Sequence, residues 1–284
     1  MANKHPYLTT HEGKLYLTDQ EKGLRTTLEI KEVLYEERSP YQHIMIVDTV
    51  LFGRALILDG IVQTTEKEGF IYNEMISHMP LAFHPKAEDV LIVGGGDLGV
   101  AREVLKYPFV RRVDMVEIDA RVVEASRTYL PEVAAPPDDR LHIYFEDGAL
   151  FVGRKEAAYD VIIVDAADPV GPATVLFEHP FYAALERALR ADGVMAAQSD
   201  SPIHHIDVCK RTHSSLKSLF PIVYPYFSTV PAYPSGWWMF TLASKRYDML
   251  RPLDPGISTR FVNDAILRGS LAVPNMFAQA LFSV

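Results

Sequence analysis

The sequence predicts an α/β fold in which a small antiparallel β domain precedes a doubly wound parallel sheet. Alternating apolar and β-branched residues run through residues 14–65, with SP, FG and DG turn signals between the runs. After residue 69, strand-like runs alternate with helix-like runs, which is typical of βαβ units with helices on both faces of a parallel sheet. We therefore predict a β domain over residues 1–68 and an α/β domain over residues 69–284.

The β domain is predicted as two or three hairpins. Its strand-like runs are KLYL (14–17), TTLEIKEVLY (26–35), YQHIMIVDTV (41–50) and RALILDGIVQTT (54–65). Residues 69–83, GFIYNEMISHMPLAF, then carry apolar side chains at helical spacing. This predicted helix leads the chain into the α/β domain.

Five strands and their helices follow in alternation. The predicted strands are DVLIV (89–93), VRRVDMVEID (110–119), LHIYFED (141–147), YDVIIVDAAD (159–168) and DGVMAAQS (192–199). The helix-like runs between them are VAREVLKY (100–107), ARVVEASRTYL (120–130) and HPFYAALERALR (179–190). FPIVYPYFSTVP (220–231) and GWWMFTLASK (236–245) are predicted to form a hairpin that closes the sheet.

Composition and charge exclude several classes of protein. The chain has 37 acidic and 28 basic residues, a net charge of −9, whereas nucleic-acid binders usually carry a basic surplus. Cys209 is the only cysteine, and His204 and His205 lack metal-ligand spacing, so we predict no disulfide and no metal site. No apolar run reaches the ~18 residues of a membrane span. The opening MANKHPYLTTHEGK lacks a signal-peptide core, so we expect a cytoplasmic protein.

A glycine-rich turn follows the first strand of the α/β domain. Gly94, Gly96 and Gly99 satisfy the G-x-G-x-x-G pattern between a strand and a helix, which is a weak signal when it stands alone. Glu117 ends the next strand, where an acidic side chain can bind ribose hydroxyls, and Asp147 follows the third strand, in place for an adenine amino group. Together they predict an adenosine ligand across the carboxyl ends of three strands.

Asp97 lies inside the glycine-rich turn and argues against a dinucleotide. A carboxylate at this position repels a pyrophosphate at short range. S-adenosylmethionine and its decarboxylated form instead carry a sulfonium and an ammonium, which a carboxylate attracts. The simplest fit is an aminopropyl ammonium with no carboxylate beside it.

A pair of carboxylates, Asp165 and Asp168, follows the fourth strand at the ligand edge of the sheet. Two acids this close repel each other and favour a cation between them. A carboxylate at that place can orient an amine nucleophile and accept its proton. Tyr72, in the helix that enters the α/β domain, is placed to join Asp165 around the attacking nitrogen.

Eight motifs in order now indicate a family. They are SPYQHI, LILDGIVQTTE, FIYNEM, GGGDLG, VEID, EDG, VDAADPVGPA and YPSGWWMF. Over nearly its whole length the chain resembles the spermidine synthase (polyamine aminopropyltransferase) family. The resemblance implies a Rossmann-like, methyltransferase-type catalytic domain, and an N-terminal domain that forms oligomers and part of the cleft. It also implies homodimers or homotetramers, a polyamine substrate, decarboxylated S-adenosylmethionine as co-substrate, and no metal or permanently bound cofactor.

The resemblance also implies roles for individual residues. The donor would be bound by Gln42, Gly94, Gly96, Asp97, Glu117, Asp147, Gly148 and Pro172. Catalysis would rest on Asp165 with Tyr72. The amine would contact Tyr72, Asn73, Asp165, Asp168, Gln198 and Tyr233, and residues 165–172 would form a gatekeeping loop.

Departures from the family pattern leave the acceptor and the donor open. Leu98 stands where the family usually has glycine, so we expect a side chain beside the donor's tail. The other departures, at sites where the acceptor would be read, are Gly69, Asn73, Ala166, Ala167 and Asp200. Putrescine is the expected acceptor, with agmatine, cadaverine or a triamine as alternatives, and with aminocarboxypropyl transfer from S-adenosylmethionine as a further one. An S-adenosylmethionine-dependent amine methyltransferase and a silent polyamine-binding homologue are alternatives of different classes.

Overall fold

The structure is a computed structural model and describes residues 5–21, 24–166, 176 and 178–282. Two sheets organise it, one antiparallel and one mostly parallel. The fold class predicted from the sequence is confirmed. Among the described residues, no helix combines the length and the hydropathy that crossing a membrane requires.

The N-terminal sheet is a six-stranded antiparallel meander in the order β1-β2-β3-β4-β5-β6. Its strands are β1 (Leu8–His11), β2 (Lys14–Glu21), β3 (Leu24–Arg38), β4 (His43–Thr49), β5 (Gly53–Leu58) and β6 (Ile61–Thr65). Asp59 and Gly60, both with positive φ, make the two-residue turn between β5 and β6 that an Asp-Gly pair favours. The six strands correspond to the upper end of the predicted two or three hairpins. Strand β1 was not predicted: it pairs with β2 although it offers only one buried apolar side chain, that of Leu8.

The second sheet has seven strands in the order β12-β13-β11-β10-β7-β8-β9. They are β7 (Asp89–Gly94), β8 (Arg112–Glu117), β9 (Leu141–Phe145), β10 (Tyr159–Asp165), β11 (Leu189–Gln198), β12 (Ile222–Thr229) and β13 (Trp237–Ser244). Strands β7 to β11 pair in parallel, and the predicted β12–β13 hairpin joins β11 antiparallel. From β7 the chain runs outward to β8 and β9, and from β10 to β11 in the opposite direction. The β7–β10 boundary is therefore a topological switch point, where open α/β sheets bind their ligands.

Helices cover both faces of the second sheet. They are α1 (Phe70–Phe83), α2 (Gly99–Val104), α3 (Ala120–Tyr129), α4 (Gly148–Gly153), α5 (His179–Ala188), α6 (Ile206–Leu219), α7 (Asp264–Ser270) and α8 (Asn275–Phe282). One core joins α1 and α2 to the sheet, with Met75, Met79 and Ile92 fully buried. A second core on the other face joins α4, α5 and α6 through Phe151, Tyr182 and Leu216.

Helix α1 is fixed at its centre by a buried carboxylate. Glu74 is fully buried and accepts hydrogen bonds from the backbone N–H groups of Arg260, Phe261 and Val262, at 2.7, 2.9 and 2.8 Å. Three charge-assisted bonds satisfy a buried carboxylate that would otherwise be costly. The helix that begins the second domain is thereby tied to the segment before α7.

Candidate active site

A cavity of about 430 Å³ lies at the carboxyl edge of the seven-stranded sheet. The turn before β4, together with β5 and β6 of the N-terminal sheet, supplies part of its wall. Loops after β7, β8 and β9 line one side of it, and residues following β11 together with the start of β13 line the other. Asp165, at the end of β10, stands between the two sides. The cavity therefore joins two half-sites at the switch point of the sheet.

The glycine-rich turn brings the backbone close to two acidic residues. Gly94 and Gly95 have φ of +83° and +74°, and a Cβ at Gly94 would lie 2.2 Å from the carbonyl oxygen of Asp165. A Cβ at Gly96 would lie 3.0 Å from Glu117 Oε2. Glycine is required here because the turn packs directly on the ends of β8 and β10.

Asp97 is half-buried in this turn. Its Oδ1 accepts a hydrogen bond from the Gly99 N–H at 2.8 Å, and the Thr64 hydroxyl of β6 is a second donor. Burial raises the pKa of Asp97 to about 6, although both hydrogen bonds oppose the shift. A carboxylate held in this way favours a cation as its ligand.

Acidic side chains at the ends of β8 and β9 complete the first side. Burial raises the pKa of Glu117 to about 7, and Glu117 Oε1 accepts the Asp119 N–H at 3.0 Å. Asp147 caps α4 by accepting the Leu150 N–H at 2.9 Å. These two carboxylates follow neighbouring strands at one edge of the sheet, an arrangement suited to the ribose and the base of one nucleoside.

Gln42, from the turn before β4, reaches the same side from the N-terminal sheet. Its Nε2 donates to Asp119 Oδ2 at 3.0 Å, and the Ser39 hydroxyl donates to the same oxygen at 2.6 Å. Asp119 in turn caps α3 by accepting the Arg121 N–H. The hydrogen bonds of Asp119 therefore hold Gln42 in place and also cap the N-terminus of α3.

Asp165 and Tyr72 form the centre of the cavity. The Tyr72 hydroxyl donates to Asp165 Oδ1 at 2.7 Å. Burial, and then the negative charge of Asp97, raise the pKa of Asp165 to about 7. Burial, and then Asp165 itself, raise the pKa of Tyr72 well above its usual value, so Tyr72 stays a hydrogen-bond donor. The pair places a base of near-neutral pKa between the two half-sites.

Aromatic rings and an amide form the second side. The ring of Tyr233 lies 6.1 Å from that of Tyr72 and 4.8 Å from that of Trp238. The amide of Gln198 donates to the Ala166 carbonyl at 2.9 Å and accepts the Asp200 N–H at 2.9 Å. Trp238 lines the cavity, as strand alternation allows for one of the two tryptophans.

The charge of the cavity is strongly negative. Its lining includes the carboxylates of Asp59, Asp97, Glu117, Asp147, Asp165 and Asp200, and no Lys or Arg among the residues that the structure describes. Burial raises the pKa of Asp97, Glu117 and Asp165, and no cationic side chain in the described part of the chain offsets these shifts. The site is built for a ligand that brings its own positive charge.

Comparison with known proteins decides the family. Residues 69–251 match the family described as spermine/spermidine synthase domain, and residues 15–66 match the one described as spermidine synthase tetramerisation domain. The chain belongs to the spermine/spermidine synthase family. The resemblance predicted from the sequence is confirmed, and the enzyme is an aminopropyltransferase of this family.

Curated relatives and solved structures agree with this membership. A polyamine aminopropyltransferase of Moorella thermoacetica is 47% identical over 260 residues, covering 90% of this chain and 92% of that protein. One of Bacillus subtilis is 40% identical, covering 94% and 98%. A spermidine synthase crystallised with the transition state analogue AdoDATO superposes with a TM-score of 0.91 at 34% identity, covering 99% of this chain and 98% of that one. Spermidine synthase from Thermotoga maritima gives a TM-score of 0.89 at 34% identity, covering 99% and 97%.

Most of the predicted site residues meet in the cavity. Those that line it are Gln42, Tyr72, Gly94, Gly96, Asp97, Glu117, Asp147, Gly148, Asp165, Gln198 and Tyr233. Asp168 and Pro172, with most of the predicted gatekeeping loop, lie outside the described residues. For the described part of the chain, no group of three or more His, Cys, Asp or Glu side chains is arranged to hold a metal ion.

Asn73 differs from the expectation of an amine contact. Its side chain is buried and lies against Gly99, where a Cβ would approach Asn73 Nδ2 to 2.0 Å, and it is not among the residues that line the cavity. One position along a helix turns a side chain by about 100°. Tyr72 faces the cavity, and Asn73 therefore faces α2.

Leu98 also departs from the prediction. We expected its side chain beside the donor's tail, but Leu98 is fully buried in the core shared by α1 and α2 and does not line the cavity. Its backbone is left-handed, with φ of 66°, at the residue that precedes α2. The turn thus keeps the conformation that glycine favours while the side chain fills the core.

The Leu98→Ala variant is expected to have a free energy of unfolding about 3 kcal/mol lower than that of wild type, because a buried leucine is truncated. Leu98→Gly is expected to cost about 1 kcal/mol less than Leu98→Ala, because glycine relieves the left-handed strain. Urea unfolding measures both. Methylthioadenosine should bind both variants within about twofold of wild type, and a large change in that affinity would return Leu98 to the binding site.

The sequence-based prediction missed several cavity residues. They include Tyr41, Asp59, Gln63, Ser201, His204 and Trp238. Asp59 belongs to an Asp-Gly turn, whose turn chemistry explains its residue types without any ligand. His204 was considered only as a metal ligand and rejected. No local pattern shows that these turns open onto the cavity.

Proposed function

We propose that the chain transfers the aminopropyl group of decarboxylated S-adenosylmethionine to putrescine and releases methylthioadenosine, which makes it a spermidine synthase. The observation that carries this proposal is the position of Asp165. It stands between the nucleoside side and the amine side of one acidic cavity, and the Tyr72 hydroxyl holds it at 2.7 Å.

The donor assignment is supported by the first half-site. Glu117 and Asp147 are placed for the ribose and the adenine, and Gln42 closes the same side. Asp97 is placed for the cationic tail. Since the described lining contains no Lys or Arg, a donor that also carries a carboxylate would find no cationic partner there. This favours the decarboxylated donor over S-adenosylmethionine.

The reaction follows from this placement. The amine nitrogen attacks the aminopropyl carbon bonded to sulfur, so that a C–N bond forms while the C–S bond breaks. The electron pair of the C–S bond goes to sulfur, which leaves as a neutral thioether. The proton that the ammonium must lose goes to Asp165, whose pKa of about 7 suits a base at neutral pH. Holding both substrates in line supplies much of the remaining acceleration.

We propose that the N-terminal sheet mediates the formation of oligomers. Residues 15–66 match a segment described as a tetramerisation domain, and β2–β6 lie in the same part of the chain. We infer a homodimer or a homotetramer assembled through this sheet.

Mass spectrometry of the products tests the proposed function. The protein is incubated with either donor and with putrescine, cadaverine, agmatine or spermidine. We expect putrescine to gain one aminopropyl group from the decarboxylated donor, with methylthioadenosine as co-product.

Three results would contradict the proposal in different ways. A product heavier by a methyl group would make the enzyme a methyltransferase. Transfer from S-adenosylmethionine alone would refute the proposed donor. Preference for agmatine, cadaverine or spermidine would show that putrescine is not the acceptor, while the reaction would remain an aminopropyl transfer.

A further inference from the structure

One buried residue behind the cavity wall links two residues that would hold the donor. Asp119 is 1% exposed and does not line the cavity, so it does not contact the ligand. Its Oδ2 accepts hydrogen bonds from Gln42 Nε2 at 3.0 Å and from the Ser39 hydroxyl at 2.6 Å, and its Oδ1 accepts the Arg121 N–H at 3.0 Å. Its own backbone N–H donates to Glu117 Oε1 at 3.0 Å. Gln42 of the N-terminal domain and Glu117 of the α/β domain are therefore held by the same residue.

Among the described residues, each group that contacts the Asp119 carboxyl acts as a donor. The backbone N–H of Arg121 can only donate, so Oδ1 is an acceptor. The Ser39 oxygen already accepts the N–H groups of Tyr41 and Gln42, each at 3.1 Å. Its hydroxyl hydrogen therefore goes to its nearest acceptor, Asp119 Oδ2 at 2.6 Å. Since both carboxyl oxygens accept, Asp119 must face the amide nitrogen of Gln42 and not the amide oxygen.

The orientation of the Gln42 amide follows from this contact. Because Nε2 is turned to Asp119, Oε1 is the atom that Gln42 offers to a ligand. This oxygen accepts no hydrogen bond from the described residues and is not a buried atom, and Gln42 lines the cavity. Glu117 is oriented in the same sense, since its Oε1 accepts the Asp119 N–H while its Oε2 adjoins Gly96 of the glycine-rich turn. One acceptor from each domain is thereby left for the nucleoside.

We propose that Asp119 is a positioning residue for the donor, because it sets the polarity with which Gln42 and Glu117 meet the ribose. The ribose hydroxyl groups donate hydrogen bonds to Gln42 Oε1 and Glu117 Oε2. Asp119 touches neither the ligand nor the reacting atoms and acts only through these two side chains. This inference rests on the proposed function and deepens it, since it names the residue that decides how the nucleoside is recognised.

Asp119→Asn separates this role from the capping of α3. Asparagine caps a helix as well as aspartate does, so its side-chain oxygen still accepts the Arg121 N–H. Its side-chain nitrogen then replaces Oδ2 and is a donor opposite Gln42 Nε2, which is also a donor. The Gln42 amide has to rotate and present its NH₂ group to the ligand. The substitution therefore inverts one polarity and keeps the volume and the cap.

Calorimetric titration of the full-length enzyme with methylthioadenosine tests the proposal. We expect Asp119→Asn to weaken binding about 10-fold, the effect of one hydrogen bond to the ligand. Gln42→Glu sets two carboxylates against each other and is expected to weaken binding at least as much. The double variant Asp119→Asn/Gln42→Glu restores a donor opposite an acceptor, so its affinity should return to within about threefold of wild type. A merely structural role of Asp119 would give no such recovery.

Asp114→Asn is the matched control, because Asp114 is also 1% exposed and lies on β8 outside the cavity. Its carboxylate accepts hydrogen bonds from Arg112 Nε and the Tyr159 hydroxyl, and neither of these residues lines the cavity. Methylthioadenosine should bind Asp114→Asn with unchanged affinity. In steady-state kinetics, Asp119→Asn should raise the KM for the decarboxylated donor, while kcat and the KM for putrescine change less than about threefold.

The outcomes separate this inference from the proposed function. Unchanged methylthioadenosine affinity in Asp119→Asn would overturn the role of Asp119 alone. So would a double variant whose loss of affinity equals the product of the two single losses, because the two side chains would then act independently. A wild-type enzyme that binds no methylthioadenosine would overturn the proposed donor and this inference together.

Discussion

Asp165→Asn is expected to lower kcat about 10²- to 10⁴-fold, the usual contribution of a positioned general base. The asparagine oxygen still accepts the Tyr72 hydroxyl that now donates to Asp165 at 2.7 Å, so the geometry is kept while the base is lost. Single-turnover rates with decarboxylated donor and putrescine measure the effect. Activity close to wild type would remove Asp165 from the role of base.

Stability and pH provide independent checks of this variant. A carboxyl whose pKa is raised on folding binds more protons in the folded state, so its contribution to stability falls as pH rises from the unfolded value toward about 7. Asp165→Asn should therefore melt about 2–4 °C above wild type at pH 8, and near wild type at pH 4. In the wild-type enzyme, kcat/KM should fall as pH decreases below about 7, because the base becomes protonated.

Asp97→Asn is expected to weaken binding of decarboxylated S-adenosylmethionine about 10- to 100-fold, because a half-buried carboxylate loses its charge opposite the cationic tail. Methylthioadenosine lacks that tail, so its affinity should change less than about threefold. Calorimetric titration of both ligands measures the difference.

Asp147→Asn is the matched control for this prediction. Asp147 lines the nucleoside side and caps α4, so its variant should weaken both ligands to a similar degree. Equal losses for both ligands in Asp97→Asn would mean that Asp97 does not read the tail.

Periodicity in the sequence predicted most of the fold. The central parallel strands β7, β10 and β11 carry apolar runs, as burial on both faces of the sheet favours. Helix α6 was missed because its buried positions include Cys209, Thr212 and His213, which do not stand out as an apolar stripe. Strand β1 was missed because backbone pairing with β2 stabilises it more than its side chains do.

The site residues that the sequence predicted correctly are those at the end of a strand or in the turn after it. Glu117 and Asp165 each follow an apolar run directly, and Asp97 follows the glycine-rich turn after β7. Parallel topology brings these positions to one edge. Leu98 and Asn73 were placed wrongly because the direction of a side chain depends on φ and on helix phase. Gln63 and Ser201 were missed because no local pattern shows which turns border the cavity.

Residues beyond the region that matches the spermine/spermidine synthase domain help to hold helix α1 in place. That match ends at residue 251. The backbone N–H groups of residues 260–262, beyond it, donate hydrogen bonds to Glu74, which lies two positions after Tyr72 on α1. A protein cut at the end of the match would leave a buried carboxylate without its donors, on the very helix that presents Tyr72 to Asp165. We therefore expect that the shortest chain able to fold and position Tyr72 extends beyond residue 251. The C-terminal segment is needed because it supplies the hydrogen bonds to Glu74.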